Sequence, residues 1–262
     1  YANNQDNPIA ISKDYLAVTT VSYFSQFNYD TSHPCHNQWD NSPNVVVYSL
    51  GPDGSTEVAM VAHSPTDDSY GQSCRGPNHD GFGASIAIDG DLLFVAARCY
   101  IPGGYDYDMN DCGNGYELGS IQNHGAVHVY QISTGQHLMQ IDAPFHDKNG
   151  DGSSDPEIGF GRSISTDNGI LAVKSQLGSY TYFYNVSDIL DNVDSGAHLL
   201  PSFPFELWSS NNFHEIGIEG GHIYVDSSIM GVEVGDRPCQ ENRGGVYPIG
   251  ALYAGGEAPD SA

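Results

Sequence analysis

IAISKDYLAV at Ile9–Val18, IAIDGDLLFV at Ile86–Val95, ISTDNGILAV at Ile164–Val173 and IGIEGGHIYV at Ile216–Val225 are four versions of one ten-residue block. Each runs from a short alternating apolar stretch, through a two- or three-residue polar turn rich in Gly, Asp and Asn, into a second apolar stretch. Period-two alternation puts one set of side chains on a sheet face, and such turn residues let the chain reverse tightly, so each block predicts a β-hairpin. A further strand candidate follows each block: NVVVYSL from Asn44, AVHVYQI from Ala126, YTYFYNV from Tyr180 and GVYPIGA from Gly245. Three repeats offer a fourth: EVAMVAH from Glu57, HLMQIDA from His137 and FPFELW from Phe203. Four strands per unit, about 50–80 residues apart and without an amphipathic helical pattern, predict an all-β protein, a β-propeller of four-stranded antiparallel blades. A β-sandwich with accidental similarity is the competing arrangement, and the alignment of four blocks argues against it. The expected organisation is one domain over 1–262, with blades near 1–78, 79–156, 157–210 and 211–262. The last blade has no clear outer strand after Gly250. The ring is then a compact four-bladed one, a slice of a longer propeller, or one completed by another chain pairing with an open edge.

The stretch FGASIAIDGDLLFVAA from Phe82, followed by GAVHVY from Gly125 and IGFGRSISTDNGILAV from Ile158, resembles FG-GAP repeats, the blades of integrin-α-type propellers. The FG pair itself stands at Phe82-Gly83 and Phe160-Gly161; Gln5-Asp6 and Asn212-Phe213 take its place in the outer repeats, which are aligned by pattern alone. The resemblance implies extracellular placement, recognition of a ligand or partner on a propeller face, and bound calcium. It names no ligand, because one fold hosts many functions.

Composition bounds the partners. Only 8 Lys and Arg stand against 33 Asp and Glu among 262 residues, a formal net charge of −25. Such a surface repels phosphate backbones and anionic lipid, so nucleic acid is excluded as a partner, while Ca²⁺ is favoured. No apolar run approaches the roughly 18–20 residues that span a bilayer, so no membrane insertion is expected. Charged residues make up 16% of the chain, too few for a charge-driven disordered protein. The five cysteines lack CxxC or zinc-site spacing. Cys35 with Cys74 and Cys99 with Cys112 are the pairs nearest in sequence, which leaves Cys239 as a free thiol or half of an intermolecular bridge. The chain opens at Tyr1 without Met or an apolar leader, which reads as a processed form or an excised piece. Scarce lysine and the expected disulfides read as secreted or cell-surface.

DKNGDGSSD, Asp147 to Asp155, carries the metal chemistry. Asp147, Asn149, Asp151 and Asp155 offer side-chain oxygens, and Ser153 a backbone carbonyl. Alternate spacing lets a curled loop aim every second residue inward, and Gly152 permits the sharp turn, so the segment predicts a Ca²⁺ loop. Ile158 at the twelfth position rules out a full EF-hand; the segment is similar to the shorter FG-GAP loop that ends on a ninth-position Asp. Family loops commonly sit inside a blade's first hairpin, whereas this one precedes Phe160-Gly161. A solvated Asp/Gly turn is the plain alternative. DYDMNDCGNGYE places Asp106, Asp108, Asn110 and Glu117 at similar spacing, but Asp111 stands where a Gly is needed, which favours a solvated loop. The same holds for Asp67 and Asp68 in TDDSYGQ.

Catalytic signatures are missing: there is no G-x-S-x-G, no H-E-x-x-H and no phosphate loop. The eleven histidines are scattered and read as mostly surface or loop residues. In a four-stranded blade, the connection between second and third strands and the connection to the next blade leave from the same end. All five cysteines and both acidic stretches fall in such connections, with Tyr100, Tyr105, Tyr107 and Tyr116 crowded into one of them. One long-looped end therefore carries recognition, unless those tyrosines pack down on their own blade. Asn185-Val186-Ser187 is a glycosylation sequon. The expectation is a calcium-binding extracellular propeller for adhesion or for a structural assembly or filament, with a protein partner or self-association. The alternatives are a monomeric module that recognises a glycan or protein, and a propeller-type glycosidase or lyase.

Overall fold

The computed structural model describes residues 8–21, 43–65, 81–97, 124–146, 155–156, 159–175, 181–193, 205–208, 216–219, 222–225, 231–234, 237–238 and 245–248. It contains two compact units, Tyr1–Gln140 and Ile141–Ala262. The first unit holds β1 (Ile9–Ile11), β2 (Tyr15–Val21), β3 (Pro43–Leu50) and β4 (Thr56–Ala62), then β5 (Phe82–Asp89), β6 (Leu92–Ala97), β7 (Ala126–Gln131) and the start of β8 (Gln136–Asp142). The second holds β9 (Phe145–His146), β10 (Asp155–Pro156), β11 (Ser163–Asp167), β12 (Ile170–Lys174), β13 (Thr181–Asn185) and a short helix α1 (Val186–Asp191). It continues with β14 (Phe205–Trp208), β15 (Ile216–Glu219), β16 (His222–Val225), β17 (Gly231–Val234), β18 (Arg237–Pro238) and β19 (Gly245–Pro248). The described fold is all-β apart from α1, with antiparallel four-stranded sheets β1-β2-β3-β4 and β5-β6-β7-β8. No described helix is long and apolar enough to cross a membrane.

All four blocks form the expected hairpin in one register. The first block residue pairs with the last in each: Ile9 with Val18, Ile86 with Val95, Ile164 with Val173, and Ile216 with Val225. The reversals reach that register by different chemistry. Asn168 and Gly169 both take positive φ (50° and 77°), as a type I′ turn requires. In the first block the Ser12 hydroxyl accepts from the Tyr15 amide at 3.1 Å, while the Ser12 amide donates to the Tyr15 carbonyl at 2.8 Å. In the first three repeats the end of the third strand then docks on the same turn. Leu50 N donates to Asp14 O, Ile132 N to Asp91 O and Val186 N to Gly169 O, each at 2.8 Å. The alignment also places a tyrosine at one register position on all four third strands: Tyr48 opposite Leu16, Tyr130 opposite Leu93, Tyr184 opposite Leu171, and Tyr247 opposite Ile223.

The two FG pairs belong to a larger Gly-Phe-Gly turn. Gly81 and Gly83 have φ of 70° and 79°, Gly159 and Gly161 have 64° and 88°. A backbone hydrogen bond closes each turn, Ala84 N to Gly81 O at 3.0 Å and Arg162 N to Gly159 O at 3.2 Å. The phenylalanine between is driven into the core. Phe82 lies 5.8 Å from the ring of His128 and 6.2 Å from Tyr130, edge-on at 80°. Phe160 lies 5.8 Å from Tyr182 and 6.3 Å from Tyr184, edge-on at 77°. The same ring geometry therefore recurs in both repeats, with the T-shaped arrangement that the aromatic quadrupole favours.

In the first unit, the two four-stranded sheets share a core. Ala17, Val45, Val47, Met60 and Ala62 of β1–β4 meet Phe82, Ile86, Ile88, Leu93, Val95, Ala97 and Tyr130 of β5–β8. Small residues on one side and large ones on the other let the faces interdigitate at native density. The central strand β6 is buried along its whole length, which is why LLFVAA shows no alternation.

Two features of the second unit differ from the sequence expectation. Of FPFELW, Phe205–Trp208 form β14, whose ladder is with β17, and β11-β12-β13 stands as a three-stranded sheet. After β13 the chain turns directly into α1, which buries Val186 and Ile189. A strand edge four residues long, with no tight turn to fix its partner, carries little register information of its own.

Candidate functional site

The acidic segment is held at its base by β9 and β10, which pair antiparallel with His146 opposite Asp155 and Phe145 opposite Pro156. The ladder sets His146 and Asp155, the residues that flank 147–154 in sequence, opposite each other, shortly ahead of the Gly159-Phe160-Gly161 turn. Of the expected ligands, Asp155 lies on β10; Asp147, Asn149, Asp151 and Ser153 lie outside the described residues. Among the described residues, no group of three or more His, Cys, Asp or Glu side chains converges. Cys35, Cys74, Cys99, Cys112 and Cys239 also lie outside them, as do Asp106, Asp108, Asn110 and Glu117. Asn185 ends β13 and caps α1 in an extended conformation, half-buried and without a side-chain capping bond, while Ser187 of the sequon is exposed.

The strand topology sorts the connections by length. β1–β2, β3–β4, β5–β6 and β7–β8 reverse within a few residues at one end of their sheets. The β2–β3, β4–β5 and β6–β7 connections, which contain 22–42, 66–80 and 98–123, leave from the other. Four of the five cysteines fall in those three segments.

One cluster escaped the sequence reading. His128 on β7 is completely buried and its Nδ1 lies 3.3 Å from Nε2 of the half-buried His137 on β8, so one ring donates and the other accepts. Tyr130 packs edge-on against His137 at 5.0 Å, and its hydroxyl donates to the His63 carbonyl at 2.6 Å. His63 in turn donates from Nδ1 to the Asn44 side-chain oxygen at 2.7 Å. The chain of contacts ties β7 and β8 to the ends of β3 and β4. Burial, and secondarily the neighbouring His137, pushes His128 down to about 3; burial also lowers His137, partly offset by a backbone hydrogen bond at Met139. Both rings are therefore neutral near pH 7, and the pair works as a hydrogen-bonded strut. Alternation in AVHVYQ would have flagged His128 as inward-facing alongside Tyr130, had β7 not been buried on both faces.

A second network fixes the short-turn end. Asp91 accepts from the Ser133 amide at 2.9 Å and the Ser133 hydroxyl at 2.6 Å, and from the Tyr15 hydroxyl of the neighbouring sheet. Partial burial pushes the Asp91 carboxyl up, but the hydrogen bonds from Ser133, Gln131 and Tyr15 outweigh it and hold the group below its ordinary value. Asp91→Ala is expected to lower stability by about 1–3 kcal/mol, read as a shift in urea midpoint at unchanged slope. A loss no greater than that of Asp53→Ala, which breaks only the local Ser55 contact, would show that the network stabilises nothing.

No protein-family model matches the chain, and no curated protein is significantly similar to it. Among solved structures, the periplasmic gluconolactonase of Pseudomonas aeruginosa is similar over 92% of this chain, at 14% identity and a TM-score of 0.36. The chain spans 57% of that protein's length. Glutaminyl cyclase from Myxococcus xanthus is similar over 92% of this chain and 72% of its own, at 9% identity and a TM-score of 0.37.

Proposed function

We propose that the chain is a calcium-binding β-propeller of FG-GAP type, extracellular, acting in adhesion or as a structural subunit of a larger assembly. The observation that carries this reading is the recurrence of one Gly-Phe-Gly turn, ring geometry included, in the two repeats where the FG pair stands. Four hairpins in one register support repetition of a single unit beyond those two. The metal part rests on the acidic segment and its base. Asp147, Asn149, Asp151, the Ser153 carbonyl and Asp155 supply hard oxygen donors at alternate positions. Because the β9–β10 ladder already joins the loop ends, the cation has less chain entropy to overcome. Calcium would supply charge neutralisation there, in a chain whose net charge is −25. Contact with a partner falls to the long connections at one end of the sheets, where the paired cysteines Cys35–Cys74 and Cys99–Cys112 would restrain them.

Calorimetry tests the metal. With free Ca²⁺ about a hundredfold above its Kd, binding to the folded state alone adds about 2.7 kcal/mol, so the melting temperature should rise on replacing EDTA by Ca²⁺. Asp151→Ala should abolish that rise and leave the EDTA value unchanged. Equal losses in both buffers would make the segment a turn without metal.

A further inference from the structure

β7 and β8 bring two imidazoles together by local means alone. Residues 132–135 join the strands, and Gly135, at positive φ, donates from its amide to the Gln131 carbonyl at 2.9 Å, so the reversal is tight. His128 Nδ1 and His137 Nε2 then stand 3.3 Å apart, with ring centres 5.4 Å apart and planes tilted by 55°. That separation is long for a hydrogen bond and matches the bite of a chelate. Two nitrogens, each about 2.0–2.1 Å from one tetrahedral ion, stand about 3.3–3.4 Å apart.

The surroundings favour the ligand forms. Burial disfavours the imidazolium of both rings, so neither is charged near pH 7. The backbone hydrogen bond at Met139 favours the protonated form of His137, so that ring donates there. With Nε2 turned to His128, the donor is Nδ1, which leaves the Nε2 lone pair facing His128. A second ring nitrogen tied to a backbone carbonyl is how proteins fix the tautomer of a metal-binding histidine. Phe82 against His128 at 5.8 Å and Tyr130 against His137 at 5.0 Å hold the two ring planes. His137 is only half-buried, so solvent reaches the pair from its side.

We infer that His128 Nδ1 and His137 Nε2 chelate Zn²⁺, with solvent filling its remaining positions. In the metal-free pair His128 donates from Nδ1; ligation moves that proton to Nε2, a change of tautomer and not of charge. The ion lies to one side of the nitrogen–nitrogen line, so the rings tilt while the strands stay. It clips β8 to β7 where the hydrogen bond alone did so before. Imidazole nitrogen suits Zn²⁺, whereas Ca²⁺ takes oxygen, so this site is separate from the acidic segment and does not depend on the calcium reading. A net charge of −25 raises the local concentration of either cation.

The test melts the protein with and without Zn²⁺ at about pH 7.5, where both rings are neutral, in excess Ca²⁺ to fill oxygen sites. The wild-type melting temperature should rise with Zn²⁺. His137→Ala should lose that rise, and His222→Ala, which removes an exposed histidine of the second unit, should keep it. A wild type with no rise, a His137→Ala variant with the full rise, or a rise lost in His222→Ala instead overturns the proposal. Co²⁺ gives a readout that needs no variant. Four-coordinate ligation should give intense visible absorption that added Zn²⁺ removes, and the pale spectrum of the hydrated ion alone overturns the proposal. A Ca²⁺-dependent melting shift that Asp151→Ala abolishes would leave the calcium reading standing while this one fails; a Zn²⁺ response in a protein indifferent to Ca²⁺ would do the reverse.

Discussion

Gly83→Ala is expected to cost about 2–5 kcal/mol, against about 1–2 kcal/mol for Gly90→Ala. Both glycines have positive φ, 79° and 57°, which penalises any β-carbon. The difference is space. A β-carbon at Gly90 meets nothing, whereas at Gly83 it would stand 2.7 Å from Cγ2 and 3.2 Å from Oγ1 of Thr19. Thr19 cannot move aside freely, because it is buried, β-branched, and donates to the Gly83 carbonyl at 2.9 Å. The clash would push apart the two sheets of the first unit at their shared core. Denaturant melts of Gly83→Ala, Gly90→Ala, Thr19→Ala and the Thr19/Gly83 double variant measure this. Losses that simply add in the double variant would mean that the close approach is not the cause.

Acid should destabilise the protein through His128. Its folded-state value lies near 3, below the ordinary 6.5, so the unfolded chain binds the proton first. The stabilising difference is complete above about pH 6.5 and is lost progressively as pH falls from there toward 3. By pH 5 the loss reaches about 2 kcal/mol, from 1.36 kcal/mol per unit over the interval below 6.5. His137, also lowered by burial, contributes in the same direction. His128→Gln keeps a hydrogen-bonding partner for His137 but cannot take up the proton, so its stability should fall less steeply between pH 7 and 5. Identical slopes for variant and wild type would assign the acid sensitivity elsewhere.

The hairpins were legible because two local signals agreed in each block, alternation and a reversible polar turn. The Phe82-Gly83 and Phe160-Gly161 pairs were legible as a motif, but their reasons were not. Nothing local says that Gly83 must admit Thr19, which is distant in sequence. His128 was missed because period-two patterning vanishes in a strand buried on both faces. FPFELW was legible as a strand, and its Phe205–Trp208 lies against β13, but its ladder runs with β17, because pairing between distant short segments is decided by tertiary packing. The acidic segment 147–154 lies outside the described residues, and the β9–β10 ladder that flanks it joins two-residue pieces too short to carry any periodicity.

In β4, the pairing shifts between Val47 and Tyr48: Val47 lies opposite Met60 and Tyr48 opposite Val58, so Ala59 is the extra residue of a bulge. The bulge resets the reading frame of the strand. Upstream of it Val58 points to the same side as Val61; downstream Met60 and Ala62 keep their buried places. A change in chain length before Met60 is thus absorbed within the strand and never reaches the core. The bulge thereby separates the two ends of β4, so that Val58 can be exchanged for a residue of another size without moving Met60 or Ala62.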